Sequence, residues 1–198
     1  MTRDQLLTLL RAAALPDAAV QIVVVGSQSV LGAHPDDELP DRATQTAEAD
    51  VMYRRAGEFD QELTEIVDAH FGEGSAFHEE HGVYLQGVDE DTSVLPAGWD
   101  TRLVHLDTLP PRDDTDGTPD YAVPVLCLEP HDLSVAKLAA GRPKDIEFVH
   151  ALLLSGHLDA TLLRARATQL DPVQHPGYRS TVERQISGLE KSIGKPHD

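Results

Sequence analysis

Two segments about twenty residues apart constrain this chain more than anything else in it. Val23-Val24-Val25-Gly26-Ser27 is an apolar, β-branched run that stops at a Gly-Ser turn. Thr46-Ala47-Glu48-Ala49-Asp50-Val51 is a second extended-looking stretch, with an acid-x-acid pair inside it. Side chains alternate along a strand, so Glu48 and Asp50 project to one side, about 7 Å apart along the backbone. In isolation, two acids at that spacing are more often the solvated face of an edge strand.

The rest of the pattern mixes strands and helices and then turns to helices alone. Leu6, Leu7, Leu9, Leu10 and Ala13-Ala14 predict a helix over 3–14 that ends before Pro16. Val20 to Val25 predicts a strand buried on both faces. Gln28 to Leu31 is read as the start of a helix, His34 to Asp41 as a surface loop and Glu48 to Tyr53 as the second strand. Phe59, Leu63, Ile66, Val67 and His70 give one apolar face to a helix over 58–70, closed by Gly72. Gly82–Val88, Thr101–Leu106 and Tyr121–Leu128 are further strand candidates, and 108–120, rich in proline and acids, is read as a mobile loop. Pro130 opens a helix that Gly141 ends, Pro143 opens another, and the chain from Leu158 is helical with breaks at Pro172 and Pro176. The expectation is an α+β fold, with residues 1–129 as its core and 130–198 as a helical C-terminal portion packed on that core.

Composition narrows the class. At 198 residues the chain can bury one sizeable core. No stretch approaches the roughly 18 apolar residues of a membrane span, and the N-terminal residues lack the plan of a signal peptide. The single cysteine, Cys127, rules out an internal disulfide and reads as a small buried hydrophobe. Cytoplasmic residence without a membrane partner is the expectation. The formal charge of −18 is unevenly placed. Residues 130–198 hold nine Lys and Arg against eight Asp and Glu, which leaves seven against twenty-six for residues 1–129. Such a surface repels nucleic acid, because phosphate neutralisation supplies most non-specific affinity. DNA sequence recognition is not expected. An RNA partner needs a local basic patch, most plausibly in the C-terminal third, with Arg164, Arg166, Arg179 and Arg184 as its candidates.

The Gly-Ser turn and the acid pair point to phosphate and metal chemistry. Mg²⁺ takes one or two carboxylates and keeps other positions for water and substrate phosphate. Gly26 lets backbone approach a phosphate without a Cβ in the way, and Ser27 adds a hydroxyl and an N–H at the start of the expected helix. Far along the chain, Lys137 lies mid-helix beside an apolar face, and Arg142, Lys144 and Asp145 cluster where two helices meet. A lysine there can meet phosphates as a point charge. Asp145 has three readings: a base toward an acceptor hydroxyl, a metal ligand, or a partner of the helix dipole, the last being the commonest role for such a residue.

The run from Leu128 to Val149 contains Lys137-x-x-Ala140-x-Arg142-x-Lys144-Asp145, which resembles a segment of the AbiEii-like nucleotidyltransferases, a group that includes the MenT toxins. Val25-Gly26-Ser27-Gln28 with Thr46-x-Glu48-x-Asp50-Val51 resembles the first motif of that group. Gly72–His78, Gly82–Val88 and Leu95-Pro96-x-Gly98-Trp99-x-x-Arg102-Leu103-Val104 are similar to its uncharacterised bacterial branch. The resemblance spans about residues 20 to 157. It implies a nucleotidyltransferase-like mixed sheet flanked by helices, an NTP substrate, Mg²⁺ at Glu48 and Asp50, nucleotide contacts from Gly26, Ser27, Lys137 and Arg142, and catalytic roles for Lys137 and Asp145. Several such proteins are toxins of toxin–antitoxin pairs and some add nucleotides to the 3′ end of tRNA, so an RNA or protein acceptor and a cognate antitoxin are expected. Against that pattern residues 33–45 are an insertion, and Phe148 stands where many relatives carry an Asp. A third strand carboxylate is not evident, and Asp107 is a candidate by position alone. The alternative is a non-catalytic nucleotide-binding or protein-interaction module on a degenerate version of the fold. His78-Glu79-Glu80-His81 is read as a loop rather than a zinc site, since its histidines are spaced i, i+3. Trp99 is assigned to packing rather than to base stacking.

Overall fold

A computed structural model of the chain describes residues 1–14, 19–109 and 122–193. Its centre is β1 (Val20–Val24), where Val20, Ile22, Val23 and Val24 are all fully buried. α1 (Arg3–Ala13) precedes it, opened by a Thr2 capping box with Gln5. After β1 the chain makes a 3-10 helix, Ser27–Gly32, and then the short α2 (Asp41–Thr44). β2 (Glu48–Arg55) and β3 (Glu58–Phe59) form a hairpin, followed by α3 (Gln61–Phe71), α4 (Ala76–His81) and β4 (Tyr84–Gly87). β5 (Val104–Leu109) and β6 (Val123–Cys127) complete the sheet. Four helices end the chain: α5 (Pro130–Ala140), α6 (Pro143–Leu154), α7 (Ala160–Ala167) and α8 (Tyr178–Ile193).

The six strands run in the order β3-β2-β1-β6-β5, with β4 also paired to β2. β1 is antiparallel to β2, with Val24 opposite Val51, and parallel to β6, with Val24 opposite Cys127. The parallel pair ends at the same edge, so the Gly26-Ser27 turn and the start of α5 lie side by side. β2 runs the other way, and its first residues arrive at that edge. The sheet therefore has the mixed α+β architecture expected from the sequence, with the helical portion following it.

Several elements differ from the sequence expectation. The segment after Ser27 is a six-residue 3-10 helix, too short for a useful dipole. Residues 33–45 are not all loop, because Leu39 and Ala43 are buried and carry α2 against the fold. The helix expected from 58 begins at Gln61, since Glu58 and Phe59 pair with β2 and Asp60 caps the helix by accepting from Leu63 N at 3.0 Å. Trp99–Arg102 is a 3-10 helix, and the strand that follows it begins at Val104. His78–His81 belongs to α4, whose N-cap is Ser75 and whose C-cap is Gly82 at φ +70°. The loop expected over 108–120 lies outside the described residues from 110 onward, while Thr108 and Leu109 belong to β5. Cys127 is buried as expected, and burial pushes its thiol up to about 12. Trp99 packs on the core beneath the Arg54 guanidinium, 4.7 Å from its ring.

A buried charge cluster fixes the N-terminal half of α5. Glu129 caps the helix by accepting from His131 N and Asp132 N. Asp132 is fully buried and takes Arg102 Nε at 2.7 Å and Arg102 Nη2 at 3.1 Å. Arg166 of α7 approaches the same carboxylate at 3.3 Å. Burial pushes the Asp132 carboxyl up, and the two guanidinium groups oppose that rise. Removing the carboxylate leaves Arg102 without its anion and Arg166 with only the 3.9 Å approach of Glu129. Asp132→Ala is therefore expected to lower unfolding stability by about 3–5 kcal/mol, measured by urea denaturation.

Candidate active site

The edge where β1, β2 and α5 meet gathers the residues that the sequence singled out. Val25 N donates to Asp50 O at 2.9 Å, which ties the end of β1 to β2. Gly26 follows at once, and a Cβ built on it would fall 1.7 Å from Asp50 Oδ2. The Asp50 carboxylate occupies the space a side chain would take, so Gly26 is set by close packing. β2 is paired along both of its edges, so Glu48 and Asp50 do not lie on an edge strand, contrary to the commonest reading of such a pair.

Asp50 is half-buried, and its carboxyl is pushed up to about 6. Burial is the main cause, followed by the charge of Glu48 and a hydrogen bond between the two carboxyls; Lys137 and Arg142 pull the other way. Glu48 is held on its far side by Tyr84 of β4, whose hydroxyl donates to Glu48 Oε2 at 3.0 Å. Two carboxyls pressed together in this way fit a divalent cation that accepts one or two protein carboxylates and completes its shell with water and phosphate. Among the described residues no group of three or more His, Cys, Asp and Glu side chains forms a fuller metal cage. The strand carboxylate sought at Asp107 is not part of the site, because Asp107 lies on β5 and faces Arg11 at 3.5 Å.

Lys137 completes the arrangement from α5. Its Nζ donates to Ser27 Oγ at 2.9 Å and to Asp145 Oδ1 at 3.1 Å, and sits 4.6 Å from the centre of the Phe148 ring. Burial pulls the ammonium below its ordinary value, against the opposing pull of Asp145 and Asp50. Asp145 also accepts from Arg142 Nε. Burial alone would raise the Asp145 carboxyl, but Arg142 and Lys137 together hold it below the usual range. A carboxylate that is 2% exposed and paired with two cations is a poor proton acceptor. It is well placed to aim Lys137 and Arg142.

The cleft has two lobes of about 330 Å³ each, which share Asp50, Lys137 and Arg142. The first is walled by Val25, Val88, Val94, Leu133 and Ala136, with Tyr178 among its lining residues. The second is polar, with Ser27, Glu48 and Asp145 joined by Arg42 and Lys144. Arg42 comes from α2 and pairs with Glu147 of α6. Arg42, Tyr84 and Tyr178 were not legible in the sequence as site residues. Tyr84 carried one signal, since residue alternation on β4 puts it opposite Glu48 once the β2–β4 register is known. The arginines expected to form an RNA-facing patch have partners within the chain: Arg164 with Glu190, Arg166 with Asp132, Arg179 with Glu183, and Arg184 with Thr181. Cation density at the site comes instead from Arg42, Lys137, Arg142 and Lys144.

A Gly-Ser turn leaving a central strand, an acid pair on the neighbouring antiparallel strand and a helix-borne lysine meet at one edge of a nucleotidyltransferase-like mixed sheet. A family model described as "Nucleotidyltransferase of unknown function (DUF6036)" matches residues 4–183, and the chain belongs to that family. No curated protein and no solved structure gives a significant match. No helix among the described residues is long and apolar enough to cross a membrane.

Two predictions follow from the packing around Asp50. Gly26→Ala forces the Asp50 carboxylate out of its place, and this overpacking is expected to lower unfolding stability by about 1–3 kcal/mol in urea denaturation. The second concerns pH. The Asp50 carboxyl titrates near 3.8 when unfolded and near 6 when folded, so the folded state binds the extra proton between those values. Stability contributed by Asp50 is present at low pH and is lost as pH rises through about 6. Asp50→Asn is therefore expected to raise the melting temperature of the metal-free protein at pH 8 by the equivalent of about 1–3 kcal/mol. At pH 4 it should change it little.

Proposed function

We propose that the protein is a Mg²⁺-dependent nucleotidyltransferase that passes NMP from an NTP to a hydroxyl acceptor. The observation that carries this reading is the Lys137 ammonium, held at once by Ser27 and Asp145 and sharing both lobes with Asp50. The acceptor oxygen attacks the α-phosphorus and forms a new P–O bond. The bridging bond to the β-phosphate breaks, pyrophosphate leaves, and the acceptor's proton passes to solvent water. Glu48 and Asp50 would hold Mg²⁺, which would supply positive charge at the phosphates. Ser27, Lys137 and Arg142 bind the phosphates, and Lys137 neutralises charge that builds on the departing group. Asp145 keeps Lys137 and Arg142 aimed; in this reading it is a positioning residue rather than the base.

The AbiEii-like resemblance suggests an RNA acceptor such as a tRNA 3′ end, together with a toxin role and a cognate antitoxin. Arg42 and Lys144 line the polar lobe, where they would meet the phosphates of the triphosphate. In this reading residues 1–129 form the catalytic core and 130–198 a helical portion that lends it Lys137, Arg142 and Asp145. One observation favours a second reading, a module that binds nucleotide without turnover. Gln86, not an acid, lies opposite Asp50 on β4, so only two carboxylates gather at the metal position.

Incubation with labelled NTPs and bulk tRNA tests the first reading. Label is expected to move to RNA, and Lys137→Met, which keeps the aliphatic stem against Phe148, should slow the transfer about 100-fold or more. Transfer undiminished by Asp50→Ala would sink the metal-dependent mechanism. Calorimetric binding of NTP and Mg²⁺ without any transfer would leave the binding module as the correct account.

A further inference from the structure

The two lobes differ in chemistry, and one of them is built from a helix that the motifs do not mention. On α8, Val182, Ile186 and Leu189 are the buried residues. Tyr178 stands four residues before Val182 and eight before Ile186, so it lies on the same face of the helix. Yet Tyr178 is 38% exposed. Its side chain continues the inward face of α8 past the edge of the core and into the first lobe, where it is a lining residue. Opposite it, α5 presents Leu133, Ala136, Lys137 and Ala140 at helical spacing, and the two alanines keep that wall low. Val88, Thr92, Ser93 and Val94 close the side beyond β4.

We infer that this lobe is the nucleoside subsite, with the Tyr178 ring as the face on which the base stacks. The inference rests on the proposal that the shared residues hold a triphosphate. With the α-phosphate at Asp50, Lys137 and Arg142, the remaining phosphates run toward Ser27 and the cations of the polar lobe. The nucleoside then turns the other way, into the lobe with apolar walls. A base has two apolar faces and a polar edge, which is what an aromatic ring and aliphatic walls with two hydroxyl residues accommodate. Thr92 and Ser93 carry hydroxyls that donate or accept, so they suit a base edge without demanding one base. Arg42 and Lys144 line the polar lobe only, which makes the two ends of the ligand separable by mutation.

The test uses the full chain with Mg²⁺, non-hydrolysable analogues of the four NTPs, and inorganic tripolyphosphate as the ligand without a base. Calorimetry is expected to show at least one analogue binding about tenfold more tightly than tripolyphosphate, the size of one aromatic–base stack. Tyr178→Ala should remove that increment and leave tripolyphosphate affinity unchanged. Tyr178→Phe should keep it, and a melting temperature equal to wild type would show that α8 stays folded. Arg42→Ala should weaken both ligands alike. Tyr178→Ala weakening both ligands equally, or leaving every analogue as tight as before, would overturn the subsite. So would wild-type protein that binds tripolyphosphate as tightly as every analogue, with the phosphate site left standing. Failure of the wild type to bind either kind of ligand would instead overturn the parent reading, and the subsite with it.

Discussion

The parallel pairing of β1 with β6 is the constraint on which the rest depends. Three register pairs, from Ile22 with Val125 to Val24 with Cys127, make two strands a hundred residues apart end at one edge. Leu128 N then donates to Val24 O, which carries the pairing one step past the strands. Because the turn after β1 and the helix after β6 start from that shared edge, Ser27 and Lys137 come within a hydrogen bond across 110 positions of sequence. A crevice outside the carboxyl ends of parallel strands is where mixed and parallel sheets commonly place ligands. Here antiparallel β2 brings its carboxylates to the same crevice, so anion-binding and cation-binding groups face each other.

The distribution of burial follows from that arrangement. Lys137 and Asp145 are largely withdrawn from water, and each is tolerable only because the other is there, with Ser27, Phe148 and Arg142 completing the shell. Glu48 and Asp50 have no such neutralisation between themselves, and the raised Asp50 carboxyl records the cost. The cleft thus stores unfavourable charge at the β2 wall, between Glu48 and Asp50, and balances charge at its helix-side wall. Folds commonly relinquish some stability at functional positions in this way.

Much of this was legible in the residues, and what was not has physical reasons. β1, β2 and α5 were readable because each carries a strong local signal: a β-branched run, an alternating pattern, a proline at the start with a glycine at φ +67° to end it. Lys137 and Asp145 were readable as a pair through their motif. Their mutual bond was not, since it depends on how α6 turns back after Gly141. Arg42 was hidden because residues 33–45 have the composition of a loop, and only the burial of Leu39 and Ala43 makes them a wall. Tyr84 was hidden because its role requires the β2–β4 register, a non-local quantity. Of the arginines read as an RNA patch, Arg164 and Arg166 are paired with acids on other helices, and that pairing is non-local.

The uneven charge has a kinetic side. Residues 1–129 carry a large excess of acids, while in one cleft the cations Arg42, Lys137, Arg142 and Lys144 slightly outnumber the acids Glu48, Asp50 and Asp145. A polyphosphate approaching from a distance meets net repulsion and feels attraction only at the mouth, within about one screening length of 8 Å at physiological salt. Added salt weakens the distant repulsion more than the contacts inside a partly enclosed cleft. For the polyphosphate substrate proposed above, capture would resemble passage over a barrier more than descent into a funnel, and moderate salt would lower the barrier.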